Sequence, residues 1–153
     1  MIKLSPILLI FFLLLQGCGY QSVHKVKRGN FSIIKFDISG DKKITRELTR
    51  NFEKFQKNEN SEYRYELITN SQMSKEVRSR NSKGRAENLY LNIIIQITVK
   101  EDGIIIGNKI FQENTNYANS DNKFELSQYE KIIVKNLTTK VINKINIYIT
   151  TLK

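Results

Sequence analysis

The stretch Leu89-Tyr90-Leu91-Asn92-Ile93-Ile94-Ile95-Gln96-Ile97-Thr98-Val99 constrains this chain more than any other. Leu89, Leu91, Ile93, Ile95, Ile97 and Val99 fall at strict period two, alternating with Tyr90, Asn92, Ile94, Gln96 and Thr98. Six apolar residues at that period specify a strand with one buried face, because a helix would scatter them around its circumference. Glu101-Asp102-Gly103 then supplies the chemistry of a tight hairpin. Ile104 to about Asn116 is therefore expected to return antiparallel, with a bulge at Gly107-Asn108. This pair is expected at the centre of a sheet, and the rest of the chain must supply its neighbours and its cover.

Upstream of it, Ile34, Phe36 and Ile38 alternate with Lys35 and Asp37, which reads as a half-buried strand. Ser39-Gly40-Asp41 breaks that strand, and Asp41 is placed to cap a helix. Ile44, Leu48, Phe52 and Phe55 then recur every three or four residues over about 13 residues, with Lys43, Arg46, Glu47, Arg50 and Lys54 turned outward. The polar run 57–61 ends this helix. In a second strand Tyr63, Tyr65 and Leu67 oppose Arg64, Glu66 and Ile68, and its tail runs out toward Ser74. Between Ser74 and Arg85 the chain turns polar and basic around Gly84, as a loop or hairpin end. Beyond the hairpin, Asn122 and Glu125 have the spacing of a capping box. Leu126, Tyr129, Ile133, Leu137, Val141, Ile145 and Tyr148 follow at helical spacing over more than six turns. The order is β-α-β-β-β-α. It predicts an α+β fold, two helices packed on one face of a four-stranded mixed sheet.

The first 20 residues have a different logic. Lys3 precedes an unbroken apolar run from Ile7 to Leu15, which ends at Gln16-Gly17 and Cys18, the only cysteine. The run is about half of the roughly 20 residues needed to span a bilayer as a helix, so residues 1–17 read as a signal peptide. Leu15, three residues before the cysteine, and Gly17, just before it, are the pattern of a lipoprotein cleavage site. Gln16 departs from the small residue usual between them. On this reading the Cys18 thiol carries a diacylglyceryl group and its amine a further acyl chain, enough for stable anchoring. Gly19 follows, where an aspartate would favour inner-membrane retention, so the outer membrane is the expected destination. Residues 18–30 form a lipidated tether and residues 31–153 a single domain.

Cleavage leaves 153 less 17, or 136 residues, and removes one charge, Lys3, so the net charge falls from +10 to +9. A basic chain facing the cell envelope meets acidic lipid or glycan there rather than nucleic acid. The single histidine, His24, lies in the tether, and acylation leaves no free thiol. That argues against Cys/His metal sites and against a Ser-His-Asp triad, and there is no glycine-rich phosphate loop. No enzyme and no cofactor are expected. The candidate binding residues are Lys75, Arg78, Arg80, Lys83 and Arg85, because clustered guanidinium forks suit phosphate.

Cys18-Gly19-Tyr20, Ile38-Ser39-Gly40-Asp41, Lys109-Ile110-Phe111 and Asn122-Lys123-Phe124-Glu125-Leu126, taken together with the element order, resemble the lipopolysaccharide-assembly lipoprotein LptE family in its short alphaproteobacterial form. The resemblance covers nearly all of the chain after Cys18. It implies two helices on a four-stranded sheet, and a lipoprotein that plugs and helps assemble the outer-membrane β-barrel LptD. It also implies binding of lipopolysaccharide on its way to the outer leaflet. Two rival expectations stand beside it: a generic envelope scaffold lipoprotein that binds another protein or peptidoglycan, and a periplasmic lipid carrier, which would need an apolar cavity and more inward surface than two helices on one sheet provide.

Overall fold

A computed structural model describes residues 30–56 and 61–152. The expected signal peptide, Cys18, His24 and the tether up to residue 29 lie outside the described residues. The elements run in the order β1 (Phe31–Gly40), α1 (Lys42–Gln56), β2 (Tyr63–Arg80), β3 (Ala86–Glu101), β4 (Ile104–Ala118) and α2 (Lys123–Thr150). The strands form one sheet in the order β1-β2-β3-β4. β1 lies parallel to β2, while β2, β3 and β4 are successively antiparallel. The α+β architecture is the one the sequence predicts, with one correction to its layout. β2 and β3 occupy the centre, and β4 is an edge.

β3 shows why its pattern dominates. Ile93, Ile95, Ile97 and Val99 are fully buried, and with Tyr65 and Leu67 of β2 they form the floor on which both helices sit. Each such side chain contributes about 1.5–3 kcal/mol by leaving water. Asp102 and Gly103 both adopt positive φ in the two-residue turn that follows, as a right-twisted hairpin requires. The β3–β4 register slips between Val99 and Lys100, whose partners are Gly107 and Ile105. The bulged residue is therefore Ile106, just before the expected Gly107-Asn108.

In β1 the phase differs from the simple alternation. The register jumps from Ile33↔Tyr65 to Lys35↔Glu66, leaving Ile34 as an extra residue. Phe31 and Ile33 face the helices before the bulge, and Phe36 and Ile38 pack there after it, while Ile34 is 45% exposed. At the exit of β1, Gly40 has φ +107°, and a Cβ there would overlap the Ser71 carbonyl oxygen. The two strands are laced at this point. Ser39 Oγ donates to the Thr69 carbonyl, Ser71 Oγ donates to the Ser39 carbonyl, and the Asp41 N–H donates to the Ser71 carbonyl. Only glycine fits so close a backbone approach.

Asp41 caps α1, its Oδ1 accepting from the N–H groups of Lys43 and Ile44. α1 buries Ile44, Leu48 and Phe52, and stacks Phe55 on Phe31 with ring centroids 5.0 Å apart. Asn122 caps α2 by accepting from Phe124 and Glu125 N–H. Its own N–H donates to Ser120 Oγ rather than to Glu125, so only half of the expected capping box forms. α2 buries Leu126, Ile133, Leu137, Val141 and Ile145 as expected, and adds Val134, Ile142 and Ile149. Tyr129 is exposed, because the buried stripe rotates around so long a helix. No helix among the described residues is long and apolar enough to cross a membrane.

Candidate functional site

The segment expected as a loop from Ser74 is mostly strand. β2 continues to Arg80 and stays paired with β3 as far as Arg80↔Ala86, with irregularities on either side of Ser79. The backbone ladder carries it past the point where an apolar face is needed, and Val77, though on the helix side, is substantially exposed. The turn itself is confined to residues 81–85. This separates the five candidate cations into three environments.

Lys75 faces the helices. Its Nζ donates to Glu130 Oε1 of α2 at 2.9 Å, and the Tyr117 hydroxyl of β4 donates to the same oxygen at 2.8 Å. Burial pushes the Glu130 carboxyl up, but hydrogen bonds from Lys75 and Tyr117 and the charges of Lys75 and Lys43 outweigh it, and its pKa is lowered. Burial first, and the Glu130 carboxylate second, push the Tyr117 phenol up. Lys75 is thus committed to the fold.

Arg78 faces the opposite, uncovered side of the sheet. Its guanidinium carbon lies over the Tyr90 ring, 3.9 Å from the centroid, a cation–π contact that holds the charge on this face of the sheet. Arg78, Ser79, Asn88 and Asn116 line a shallow depression of about 380 Å³ beside it, and Asn88 Nδ2 donates to Ser79 Oγ.

Arg80, Lys83 and Arg85 sit at the turn. Asn81 organises it, its Oδ1 accepting from the N–H groups of Lys83 and Arg85. The Gly84 N–H donates to the Asn81 carbonyl, with Gly84 at φ +75°, and Arg80 Nη1 donates to the Gly84 carbonyl. The turn is therefore stiff, and the exposed Lys83 and Arg85 project from it. Asn119, just beyond β4, braces its base by donating from Nδ2 to the Ala86 carbonyl and from its backbone to the Glu87 carbonyl. Next to it a cleft of about 370 Å³ is lined by Asn81, Arg85, Asn88 and Asn119, but also by Glu87 and Asp121. Those carboxylates temper the positive field on that side.

The hairpin end thus gathers four cations, Arg78, Arg80, Lys83 and Arg85, with amides between them. Such a set can hold phosphate or sugar hydroxyls. The Arg78–Tyr90 contact is invisible to a reading that ends the strand at Ser74; the signal that reveals it is the register that brings β2 residue 76 opposite Tyr90. The hairpin is not the sole basic region. The two helices hold ten lysines and arginines against four glutamates, of which Glu130 is turned inward to Lys75 and Tyr117. Among the described residues no cluster of three histidine, cysteine, aspartate or glutamate side chains is placed to hold a metal.

No family model and no curated protein matches the sequence. Solved structures do match the fold. The rare lipoprotein B from Shewanella oneidensis superposes with a TM-score of 0.58 at 14% identity, covering 76% of this chain and 94% of that one. The uncharacterized lipoprotein B from Nitrosomonas europaea gives 0.57 at 16% identity, over 84% of this chain and 88% of that one. A lipoprotein from Caulobacter crescentus gives 0.51 at 12%, over 80% and 89% respectively. This chain shares the fold of bacterial lipoproteins over most of their length.

Proposed function

We propose that this protein is an outer-membrane lipoprotein of the LptE kind, anchored through acylated Cys18. It plugs and helps assemble the LptD β-barrel and meets lipopolysaccharide at the hairpin end. The observation that carries the reading is the coincidence of two independent features. A lipoprotein cleavage pattern ends at the only cysteine of the chain, and the domain behind it has the fold of bacterial lipoproteins over 94% of one such chain. The surface chemistry is compatible with a polar lumen, which favours charged and amide side chains over apolar patches. The uncovered sheet face carries Asn70, Gln72, Asn92, Gln96, Gln112 and Asn114, interspersed with Ile68, Ile94 and Ile110. In this role the protein positions and binds, and it performs no catalysis.

The test is to solubilise outer membranes gently, capture the protein by a C-terminal tag, and identify what co-purifies with wild type and with Cys18→Ala. A large β-barrel in stoichiometric amount with wild type supports the reading. Recovery of the lipoprotein alone, or with peptidoglycan fragments, overturns it in favour of an envelope scaffold.

A further inference from the structure

The two edges of the sheet are built differently. β1 is ten residues long, is broken in phase by the bulge at Ile34, and carries Lys35 and Asp37. Short, bulged, charged edges resist pairing with other chains. β4 also carries two charges, but it is half as long again as β1 and most of its length is unbroken in phase. It runs for 15 residues without proline, and its one bulge, at Ile106, lies close to its start. Ile104, Ile105 and Ile110 are 70%, 59% and 62% exposed. Its only charged residues are Lys109 and Glu113.

We propose that β4 is the interface at which two copies of this chain pair edge to edge, extending the sheet across a two-fold axis at Phe111. Phe111 is the midpoint of Ile104–Ala118, so an antiparallel alignment centred there overlaps all 15 residues of both strands. The same alignment sets Lys109 opposite Glu113 of the second copy, twice over. Asn108 meets Asn114, and Ile110 meets Gln112. No like charges face each other, and every other antiparallel register both shortens the ladder and separates the lysine from the glutamate.

The local environment fits this pairing. Lys109 and Glu113 are on the helix side of β4, so they stay on one side of the extended sheet. Glu113 already pairs with Lys144 of α2, whereas Lys109 Nζ sits over the Phe111 and Tyr148 rings at 5.4 and 5.1 Å from their centroids. Among the described residues Lys109 forms no ion pair. Pairing brings it a counter-charge. A groove of about 440 Å³ opens at the same midpoint, lined by Lys109, Ile110 and Gln112 on the strand and by Lys144, Ile147 and Tyr148 on α2. A two-fold axis perpendicular to the sheet keeps both α2 helices on one face, and turns the two grooves toward one another.

The area sets the strength. Fifteen residues at about 3.4 Å each make an edge about 50 Å long and about 10 Å thick, on the order of 500 Å² per copy. Stable interfaces bury about 800 Å² per partner. The exposed rim of α2 around Ile147 has to contribute, and the dimer belongs to the weak, reversible class. A copy enclosed in a barrel cannot pair in this way, so the dimer is a state of the lipoprotein outside the barrel, and its test needs no barrel partner.

The test is sedimentation velocity of the full chain in mild detergent over a wide concentration range, with Lys109→Glu, Glu113→Lys and their equimolar mixture. Circular dichroism establishes that each variant folds. Wild type is expected to pass from monomer to dimer as concentration rises. Each single reversal, which turns two attractive cross-strand pairs into two repulsive ones, is expected to weaken the dimer at least ~tenfold. The mixture restores it, because a chain that is acidic at both positions then pairs with a chain that is basic at both. The double reversal in one chain restores it too. A wild type that stays monomeric throughout, or a dimer indifferent to both single reversals, overturns the proposal.

Discussion

Lys75 and Glu130, 55 residues apart in the chain, form a 2.9 Å ion pair that joins β2 to α2, and the Tyr117 hydroxyl completes the contact from β4. One carboxylate oxygen thereby ties three elements together across the top of the core. A lysine that reads in the sequence as part of a basic binding loop is a clasp of the fold. The carboxylate is largely buried and Lys75 is about half exposed, so the contact is worth more than a surface pair but less than a sealed one.

Glu130→Gln is expected to cost about 1 kcal/mol at neutral pH. The sign of the pH dependence follows from the lowered carboxyl pKa. A carboxyl whose folded pKa lies below its unfolded value of about 4.3 stabilises the fold fully above that value, and loses the contribution as pH falls through the folded pKa. Urea unfolding of wild type and variant should therefore differ at pH 7 and converge well below pH 4. A gap of equal size at both pH values would show that the glutamine loses packing rather than charge.

Thr138 offers the opposite sign. It is fully buried on α2, and among the described residues its hydroxyl has no hydrogen-bond partner. Valine has the same shape without the polar atom, and a buried unsatisfied hydroxyl costs about 1–3 kcal/mol. Thr138→Val is expected to raise the urea midpoint, by about 1 kcal/mol in stability. A lowered midpoint would mean that a water molecule satisfies that hydroxyl.

The helices and strands are legible in the sequence where one periodicity runs unbroken. β3 shows period two over 11 residues and α1 shows Ile44, Leu48 and Phe52 on one face, and both appear where expected. The phase of β1 is not legible, because a bulge at Ile34 carries no local sequence signal and is fixed by pairing with β2. The far half of β2 escapes for a related reason. Lys75, Ser79 and Arg80 are poor strand markers, and the ladder with β3, not hydrophobicity, holds them extended. The candidate site inherits that gap: its cations can be named from composition, but only the strand's pleat puts Lys75 on the core side and Arg78 on the open face. β4 reads as central because its partner strand is so apolar. Its many polar residues, Asn108, Gln112, Asn114 and Asn116, are the sign of an edge.

Gly40 gives a sharp local prediction. Gly40→Ala forces a Cβ into the Ser71 carbonyl and holds alanine at φ +107°. Separating the strands there breaks the hydrogen bond from the Asp41 N–H to Ser71 and loosens the start of α1. The expected loss is about 3 kcal/mol or more, read as a fall in the thermal midpoint of several degrees. A variant as stable as wild type would mean that β1 can slide on β2 without cost.

The hairpin end yields the prediction closest to function. Lys83 and Arg85 are exposed, and only their backbones, through Asn81, hold the turn. Replacing both with alanine should leave stability within about 0.5 kcal/mol of wild type, as expected for surface positions. If the turn meets phosphate, binding of purified lipopolysaccharide should weaken on the order of tenfold or more, since each charge-assisted contact contributes about 1.5–3 kcal/mol at best. Lys131→Ala with Lys135→Ala on the outer face of α2 removes the same charge and serves as the control. A site confined to the hairpin loses affinity only in the first variant. Equal loss in both would assign the binding to the net positive charge of the whole domain, and no loss in either would remove the hairpin from consideration. Surface plasmon resonance at two salt concentrations separates these cases, because a purely diffuse attraction fades with screening over about 10 Å in 0.1 M salt, while close guanidinium–phosphate contacts persist.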